Sequence, residues 1–544
     1  MWGDMVIQRG HKHGGSVMTS TVVRCLWRKK GVNRSAALPI YLAASLMAAV
    51  SPAQAEVPSM PSALPVPSTG QPPLSSATRR GTEYSDLEKA GYIEEEYYLS
   101  GTAPAITAAG EALFQAPYIT RILVRKPKDP AKFNGTVVIE PFSWFGERGA
   151  GWILTRAYLL RKGYAYVGYT LNINKPAEDP KFPPGEYEAT GRPNRYTGIV
   201  NFEFMRRFDY ARYAPLGSYY DPARFKRGGA PDPFVPQSQG IGAGLALLLK
   251  SNLADGPMSG LRVQRVYVDS WAVTAQVWMD YLDQGRHQQW RMPDGRPLVD
   301  AYMTGRMAFG EVGGDVIRVP RKMPSDVPFV TVYSQSELMH DAIEGITLPP
   351  DTDQPMLRYY EVTGMPHLRL ADHGTQHTED VAADVGKGDV PRCQMLYDEP
   401  AEMVVSALLD DMDKWVREGK PMPRAPRVVR KGKGVLRDAT TQNMIGGVRP
   451  PWIAVPSATY WTEQESHCDI IYDTKVPYDH AKLRRLYGSY NTYLRKYEGA
   501  KEAAVKQGYL LPEDRDELKA VAQPGDFEPA TRQPEKAEVG GQAP

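Results

Sequence analysis

Short apolar segments alternate along the chain with longer segments whose apolar residues recur at helical spacing. The run TVVIE within residues 136–141 is typical of a strand buried on both faces of a parallel sheet. Residues 151–161 (GWILTRAYLLR) repeat at helical spacing and stop before Gly163, a residue type that often ends helices. The same reasoning predicts strands at 119–125, 164–169, 262–268, 298–303, 327–333 and 356–362, and helices at 240–250, 273–282, 401–416 and around 478–507. This alternation predicts an α/β protein with a doubly wound, mainly parallel sheet.

Other segments interrupt or flank this alternation. Residues 171–237 are rich in Pro, Gly, Tyr and Arg and are too long for a plain connection, so we expect a cap-like insertion there. Residues 421–520 begin Pro-rich and predict a C-terminal extension packed on the main domain, which spans 83–520. The Pro/Ser/Ala-rich residues 56–82 predict a flexible leader, and the polar residues 521–544 predict a disordered tail.

The first 55 residues have the pattern of a secretory signal peptide. Basic residues precede an apolar run at 36–50, and Ala53-Gln54-Ala55 forms a small-x-small cleavage site. That run is shorter than the roughly 20 residues that span a bilayer, which favours cleavage after Ala55 over a stable membrane anchor. We therefore expect a periplasmic or secreted protein.

Composition narrows the function classes. The 544 residues include 65 Lys+Arg and 63 Asp+Glu, a near-neutral balance that argues against a nucleic-acid partner. Three cysteines are too few for a four-thiolate metal site, and Cys25 leaves with the signal peptide. In an oxidising compartment, the remaining Cys393 and Cys468 favour a disulfide. We expect neither a cofactor nor a metal.

Candidate chemistry lies at three predicted strand ends. A nucleophile elbow, G-x-S-x-G, places a serine on a tight turn between a strand and a helix. Here the turn reads Ser270-Trp271-Ala272-Val273-Thr274, so alanine occupies the nucleophile position. Glu337, or alternatively Asp341, follows the strand predicted at 327–333 as the acid, and His367 follows the last strand as the base. The order elbow, acid, histidine is the order of the α/β-hydrolase fold.

An oxyanion hole is expected beside this turn. In this architecture it combines the amide after the nucleophile with an amide from the loop after the third strand. The candidates are the backbone N–H groups of Val273, Trp144 and Phe145, and we expect Ser143 and Trp271 to line the substrate pocket.

Several segments resemble the large secreted "alpha/beta hydrolase domain" proteins of bacteria. They include GYIEEEYYLSGTA (91–103), LRVQRVYVDSWAVTAQ (261–276), YYEVTGMPH (359–367) and GGVRPPWIAVPSATY (446–460), and the resemblance covers about residues 83–520. It implies an α/β-hydrolase fold and a serine hydrolase with a G-x-S-Q-S/T elbow. By position, the family's serine falls on Ala272, its acid on Glu337 and its base on His367. The resemblance also implies a cysteine pair at Cys393 and Cys468.

The chain departs from that family at the elbow, where Ser270, Ala272 and Val273 replace Gly, Ser and Gln. Ala272 fits either an engineered substitution for serine or a natural pseudoenzyme that binds a ligand. We expect an exported serine hydrolase of carboxylic esters, inactive in this form. Amide or β-diketone cleavage would use the same apparatus. The expected partner is a small-molecule or oligomeric ester, and the sequence gives no oligomeric state.

Overall fold

The computed structural model describes residues 58–77, 85–142, 149–172, 202–306, 320, 322–343, 345, 354–367, 399–462, 465 and 473–529. These residues belong to one compact unit. The predicted signal peptide and its cleavage site after Ala55 lie outside the described residues. In the part of the chain that the structure describes, no helix has the length and apolar character needed to cross a membrane.

A nine-stranded sheet forms the centre of this unit, in the order β1-β2-β3-β5-β4-β8-β9-β10-β11. Its strands are β1 Ser62–Pro65, β2 Tyr92–Ile106, β3 Ala112–Pro127, β4 Thr136–Pro141, β5 Ala165–Tyr169, β8 Arg265–Trp271, β9 Ala301–Gly305, β10 Phe329–Ser334 and β11 Leu357–Val362. The six strands from β5 to β11 are parallel, whereas β1, β2 and β3 add an antiparallel edge. The α/β-hydrolase fold expected from the sequence, with its mainly parallel sheet, is confirmed.

Helices cover both faces of the sheet. The longer ones are α1 Ala150–Lys162, α4 Ser238–Lys250, α5 Ala275–Asp283, α7 Gln335–Ile343, α8 Ala401–Glu418, α10 His480–Tyr487 and α11 Tyr490–Gln507. Apolar residues of α4 and α5 pack with Val137 and Ile139 of β4, and those of α1 and α8 pack with Val138. Successive strand residues point to opposite faces, so a continuous apolar strand serves two cores.

The chain reverses direction across the sheet at β4. After β4 it passes through α1 to β5 on one side, and it later returns to place β8 on the other side. Ligands of open α/β sheets bind at the carboxyl ends of the strands where the order reverses. The carboxyl ends of β4 and β8 are therefore the expected location of a site.

The N-terminal segment differs from the flexible leader that its composition predicts. Strand β1 pairs with β2, and the following residues lie against two buried arginines of β3. Arg121 donates to the Leu74 carbonyl and Arg125 to the Ser75 carbonyl, each at 2.8 Å. A buried guanidinium requires acceptors, and these carbonyl groups supply them. Residues 58–77 are thus part of the domain.

The two other non-core segments are partly described. Within the 171–237 insertion lie the short helices α2 Phe202–Phe208 and α3 Tyr210–Tyr213, and a hairpin of β6 Lys226–Arg227 and β7 Ala230–Pro231. The C-terminal extension contains α9 Pro451–Ala454 and a hairpin of β12 Ala458–Trp461 and β13 Thr474–Pro477. The expected disorder from residue 521 does not extend to its first residues, because Phe527 is 2% exposed and packs against the ring of Tyr493.

Candidate functional site

The turn after β8 has the backbone conformation of a strained elbow. Ala272 directly follows the last strand residue, Trp271, and has a φ of +51°. A left-handed conformation at a residue other than glycine costs about 1–2 kcal/mol, so packing on both sides must hold it. The chain then enters a 3₁₀ turn, Ala272–Thr274, that leads into α5. The structure therefore has a sharp strand-to-helix turn at the position where the sequence predicts the nucleophile.

His367 and Glu337 form a buried pair. The His367 Nδ1 atom lies 2.5 Å from Glu337 Oε1, and the backbone N–H of Ser334 donates to Glu337 Oε2 at 2.8 Å. Glu337 is 0% exposed and His367 is 8% exposed. Burial alone would raise the pKa of Glu337, but the hydrogen bond and charge of His367 hold that pKa below its ordinary value. An ionised Glu337 keeps a proton on Nδ1 and leaves Nε2 as the acceptor.

The alternative acid, Asp341, lies elsewhere on α7. It is fully buried, and its Oδ1 lies 3.8 Å from Nδ1 of His340. Glu337 stands in the first turn of α7, where the chain leaves β10, and His367 follows β11, the parallel neighbour of β10. The structure thus brings Glu337 to His367. Both groups lie at the same edge of the sheet as Ala272, because β8 to β11 are parallel neighbours.

A pair of buried acids lies beneath the elbow, and the sequence did not lead us to predict it. Glu140 near the end of β4 and Asp269 near the end of β8 are each 1% exposed, on adjacent parallel strands. A Cβ added to Gly151 in α1 would collide with the Asp269 carboxyl and lie 3.0 Å from Glu140 Oε2. The two carboxyl groups therefore share one space under the start of α1. The available signal was an acid closing each of two apolar strands, in VVIE and VYVD.

These two acids have different partners. Glu140 accepts the N–H groups of Gly151 (2.7 Å) and Trp152 (2.9 Å) at the start of α1, and the hydroxyl of Tyr166 (2.8 Å). Burial raises the pKa of Glu140 well above its usual range, and the nearby Asp269 charge adds to this. Burial also raises the pKa of Asp269 to about 7. Two carboxylates this close in a buried site cannot both remain ionised, so the pair retains a proton near neutral pH.

Trp271 lies in a different environment from the one expected. Its side chain is 1% exposed within the core on the α1 side, and its indole N–H donates to Asp269 Oδ1 at 2.5 Å. The Arg306 guanidinium lies 5.8 Å from the centre of the indole ring. Since side chains alternate along β8, Trp271 points into the core while the next residue turns at the strand end. The structure therefore makes Trp271 a support of the elbow rather than a wall of an open substrate pocket.

The oxyanion-hole candidates are only partly described. Val273 is the second residue of the 3₁₀ turn, where the first N–H groups of a helical segment have no partner within it. Ser143, Trp144 and Phe145 lie outside the described residues, as do Cys393 and Cys468 of the predicted disulfide. Within the described ranges, no group of three or more His, Cys, Asp and Glu residues could hold a metal ion.

Arg306 is a further charged residue at this edge that the sequence reasoning missed. It follows β9 directly, between the elbow strand and the acid strand, with a φ of +54° and an exposure of 3%. Its positive charge contributes to the low pKa of Glu337. The guanidinium therefore helps keep the acid of the His367 pair ionised.

Comparisons with known proteins agree with the fold. A family model described as "Alpha/beta hydrolase domain" matches residues 59–520. Among solved structures, esterase Est22 is 11% identical over 55% of this chain and 81% of its own, with a TM-score of 0.28. A cold-adapted esterase from an Arctic intertidal metagenomic library is 9% identical over 49% of this chain and 84% of its own, with a TM-score of 0.24. Scores this low do not transfer an activity. A search of curated proteins found no match.

Proposed function

Because this chain belongs to the alpha/beta hydrolase domain family, we propose that its site is built to hydrolyse carboxylic esters through an acyl-enzyme. The observation that carries the proposal is the combination of the left-handed backbone at Ala272 with the buried His367–Glu337 pair. A strained turn and a buried carboxylate both cost free energy, and an ester hydrolase has a use for each. A methyl group cannot attack a carbonyl, so this chain itself is expected to be inactive.

The chemistry requires a serine at position 272. In the Ala272→Ser variant, the hydroxyl at the elbow would attack the ester carbonyl while His367 Nε2 accepts its proton. His367 would then protonate the leaving alcohol. Water would next attack the acyl-enzyme while His367 accepts its proton, and His367 would return that proton to the serine oxygen as the acid leaves. Glu337 would stabilise the imidazolium, and the Val273 N–H would donate to the oxyanion. The expected substrate is a small-molecule or oligomeric ester, and amide or β-diketone substrates would enter the same scheme.

Ala272 itself favours a second candidate, a ligand-binding protein on a hydrolase scaffold. In that case the site retains its shape but captures a ligand without turnover. The two candidates differ in what a restored serine does, since a binding protein would gain no activity from it.

The experiment compares this chain with Ala272→Ser and with Ala272→Ser/His367→Ala. Each is assayed on aryl and alkyl esters and treated with a fluorophosphonate probe, with the adduct read by intact mass. We expect turnover and a probe adduct only in Ala272→Ser, at a rate about a million-fold above this chain. If Ala272→Ser neither turns over an ester nor takes the probe, the hydrolase proposal fails and the binding candidate is favoured.

We also propose that the mature protein begins at Glu56 and is exported. The support is the basic, apolar and small-x-small succession of residues 24–55. N-terminal sequencing of the protein recovered from the periplasm or medium of a bacterial host tests this. A cytoplasmic product that retains residues 24–55 would contradict it.

A further inference from the structure

Hydrogen bonds from neighbouring elements hold the loop that carries His367. Its described residues, 363–367, follow β11 and turn at Gly364, which has a φ of +69°. Gln335 at the start of α7 holds one side of the loop. Its N–H donates to the Met365 carbonyl, and its side-chain oxygen accepts from the Gly364 N–H, both at 3.0 Å.

The C-terminal extension holds the other side of the same loop. The Thr363 N–H donates to the carbonyl of Val448 at 3.0 Å, and the Trp452 indole N–H donates to the carbonyl of Gly364 at 2.9 Å. A Cβ on Gly364 would collide with Ile453. The loop is thus enclosed between α7 and the segment around α9.

A third contact reaches His367 itself. The backbone N–H of His367 donates to Ser336 Oγ at 3.3 Å, and the Ser336 hydroxyl donates to Asp473 Oδ1 at 2.7 Å. Ser336 is 0% exposed and Asp473 is 1% exposed. A hydroxyl has one proton, so donating it to Asp473 turns an oxygen lone pair toward His367. The carboxylate of the extension thereby orients the serine that receives the histidine backbone.

We propose that Asp473 is a positioning residue for His367, acting through Ser336, and that the C-terminal extension completes the histidine–acid site. Asp473 is 1% exposed and contacts the Ser336 hydroxyl, so its effect passes through the placement of the imidazole. The consequence for turnover rests on the ester hydrolase proposed above. The effect on the His367–Glu337 pair does not, because that pair is present in this chain.

A misplacement of about 1 Å in a catalytic group can cost about 10²-fold in rate. Loss of the Asp473 acceptor releases the Ser336 hydroxyl and loosens the His367 backbone. We therefore expect a change in kcat rather than in KM, since Asp473 is buried and acts through Ser336 on the backbone of His367.

Three variants of this chain separate positioning from simple stability. Asp473→Leu replaces the carboxylate by an apolar side chain that cannot accept a hydrogen bond, whereas Asp473→Asn keeps an oxygen that can accept from Ser336. Lys475→Met is the matched control, since Lys475 lies on the same hairpin and pairs with Glu399 at 2.8 Å instead. Ser336→Ala removes the middle of the contact and serves if Asp473→Leu does not fold, with folding checked by circular dichroism.

The first readout is an NMR measurement on this inactive chain. It records the low-field proton resonance of the hydrogen bond between His367 Nδ1 and Glu337. We expect Asp473→Leu and Ser336→Ala to shift or broaden it, and Asp473→Asn and Lys475→Met to leave it in place. The second readout is turnover in the Ala272→Ser background, where Asp473→Leu should lower kcat about 10–100-fold with little change in KM.

The outcomes are distinct. An unchanged resonance in both Asp473→Leu and Ser336→Ala would overturn the positioning role. An equal change in Lys475→Met would also overturn it, because it would trace the effect to general loss of stability. A shifted resonance with no turnover in Ala272→Ser would support the positioning role and reject the hydrolase.

Discussion

Two buried acid sites lie at the carboxyl edge of this sheet, and the pKa values of their acids shift in opposite directions. Glu337 faces His367, and its pKa is held below the ordinary value. Asp269 faces Glu140, and burial raises its pKa to about 7. Desolvation penalises the charge in both sites, so the partner decides the outcome. The first site keeps an anion that orients His367 and would stabilise its positive form, whereas the second retains a proton and supports the elbow.

The variant with the largest expected effect removes the charge of Glu337. In the Ala272→Ser background, we expect Glu337→Gln to lower kcat about 10⁴-fold, because a neutral amide neither fixes the imidazole tautomer nor stabilises the imidazolium. Steady-state kinetics on an ester that Ala272→Ser hydrolyses measures this. Asp341→Asn is the control, since Asp341 is equally buried on the same helix. An equal loss in that control would reject Glu337 as the specific partner of His367.

The pH dependence of stability tests the other site. An unfolded Asp has a pKa near 3.9, so between about pH 4 and 7 the native state holds a proton that the unfolded state has lost. The stabilising contribution is therefore full below about pH 4 and is lost as the pH rises through about 7, by up to about 4 kcal/mol. Urea unfolding at several pH values measures it.

Two replacements sharpen this test. Asp269→Asn keeps the shape and removes the titration, so we expect its free energy of unfolding to depend less on pH across this range. Glu140→Gln should instead be destabilising at every pH. The NH₂ group of the glutamine would face an N–H or O–H donor from which Glu140 now accepts a hydrogen bond. An unaltered pH slope in Asp269→Asn would show that other groups produce it.

Trp271 links the acid pair to the elbow. We expect Trp271→Phe to cost about 1–3 kcal/mol, because it removes the indole donor to Asp269 Oδ1. That hydrogen bond lowers the pKa of Asp269, so its loss should move the pH-dependent fall in stability to higher pH. Unfolding curves of Trp271→Phe and Trp271→Phe/Asp269→Asn check both effects. A shift that persists in the double variant would not come from Asp269.

The smallest expected effect is the loss of folding stability at acidic pH that the protonation of Glu337 causes. Because its folded pKa is lowered, Glu337 stabilises the native state above its unfolded pKa, about 4.3, and this contribution is lost as the pH falls through the folded value. In this chain, Glu337→Gln should make the free energy of unfolding depend less on pH in the acidic range. Its pH dependence around pH 7 should not change. If it changed the slope around pH 7 instead, the two acid sites would be coupled.

Local patterns predict the parallel strands of the sheet and miss β1 and β2 at its antiparallel edge. The predicted bounds of β4 agree with the structure, since a strand buried on both faces is apolar throughout. Strand β2 was not predicted, because three consecutive acids, Glu94 to Glu96, interrupt its apolar pattern. Two of them pair with arginines of β3, so tertiary contacts stabilise what the pattern disfavours.

The elbow strand also shows that a local pattern does not fix where a strand begins and ends. The predicted strand 262–268 lies three residues early, because β8 runs to Trp271. The turn itself was placed correctly at Ala272, since small residues there meet a helical pattern that begins directly afterwards. Strand bounds depend on pairing with β4 and β9, which a single segment does not encode.

The sequence by itself determined the α/β alternation, the position of the elbow and the order of elbow, acid and histidine. These follow from local periodicity and residue type, which each segment carries independently. The tertiary structure decided which acid meets His367, that Glu140 and Asp269 share a buried space, that β1 joins the sheet, and that Asp473 reaches Ser336. Each of these joins residues far apart in the chain, whose approach depends on strand register and helix packing.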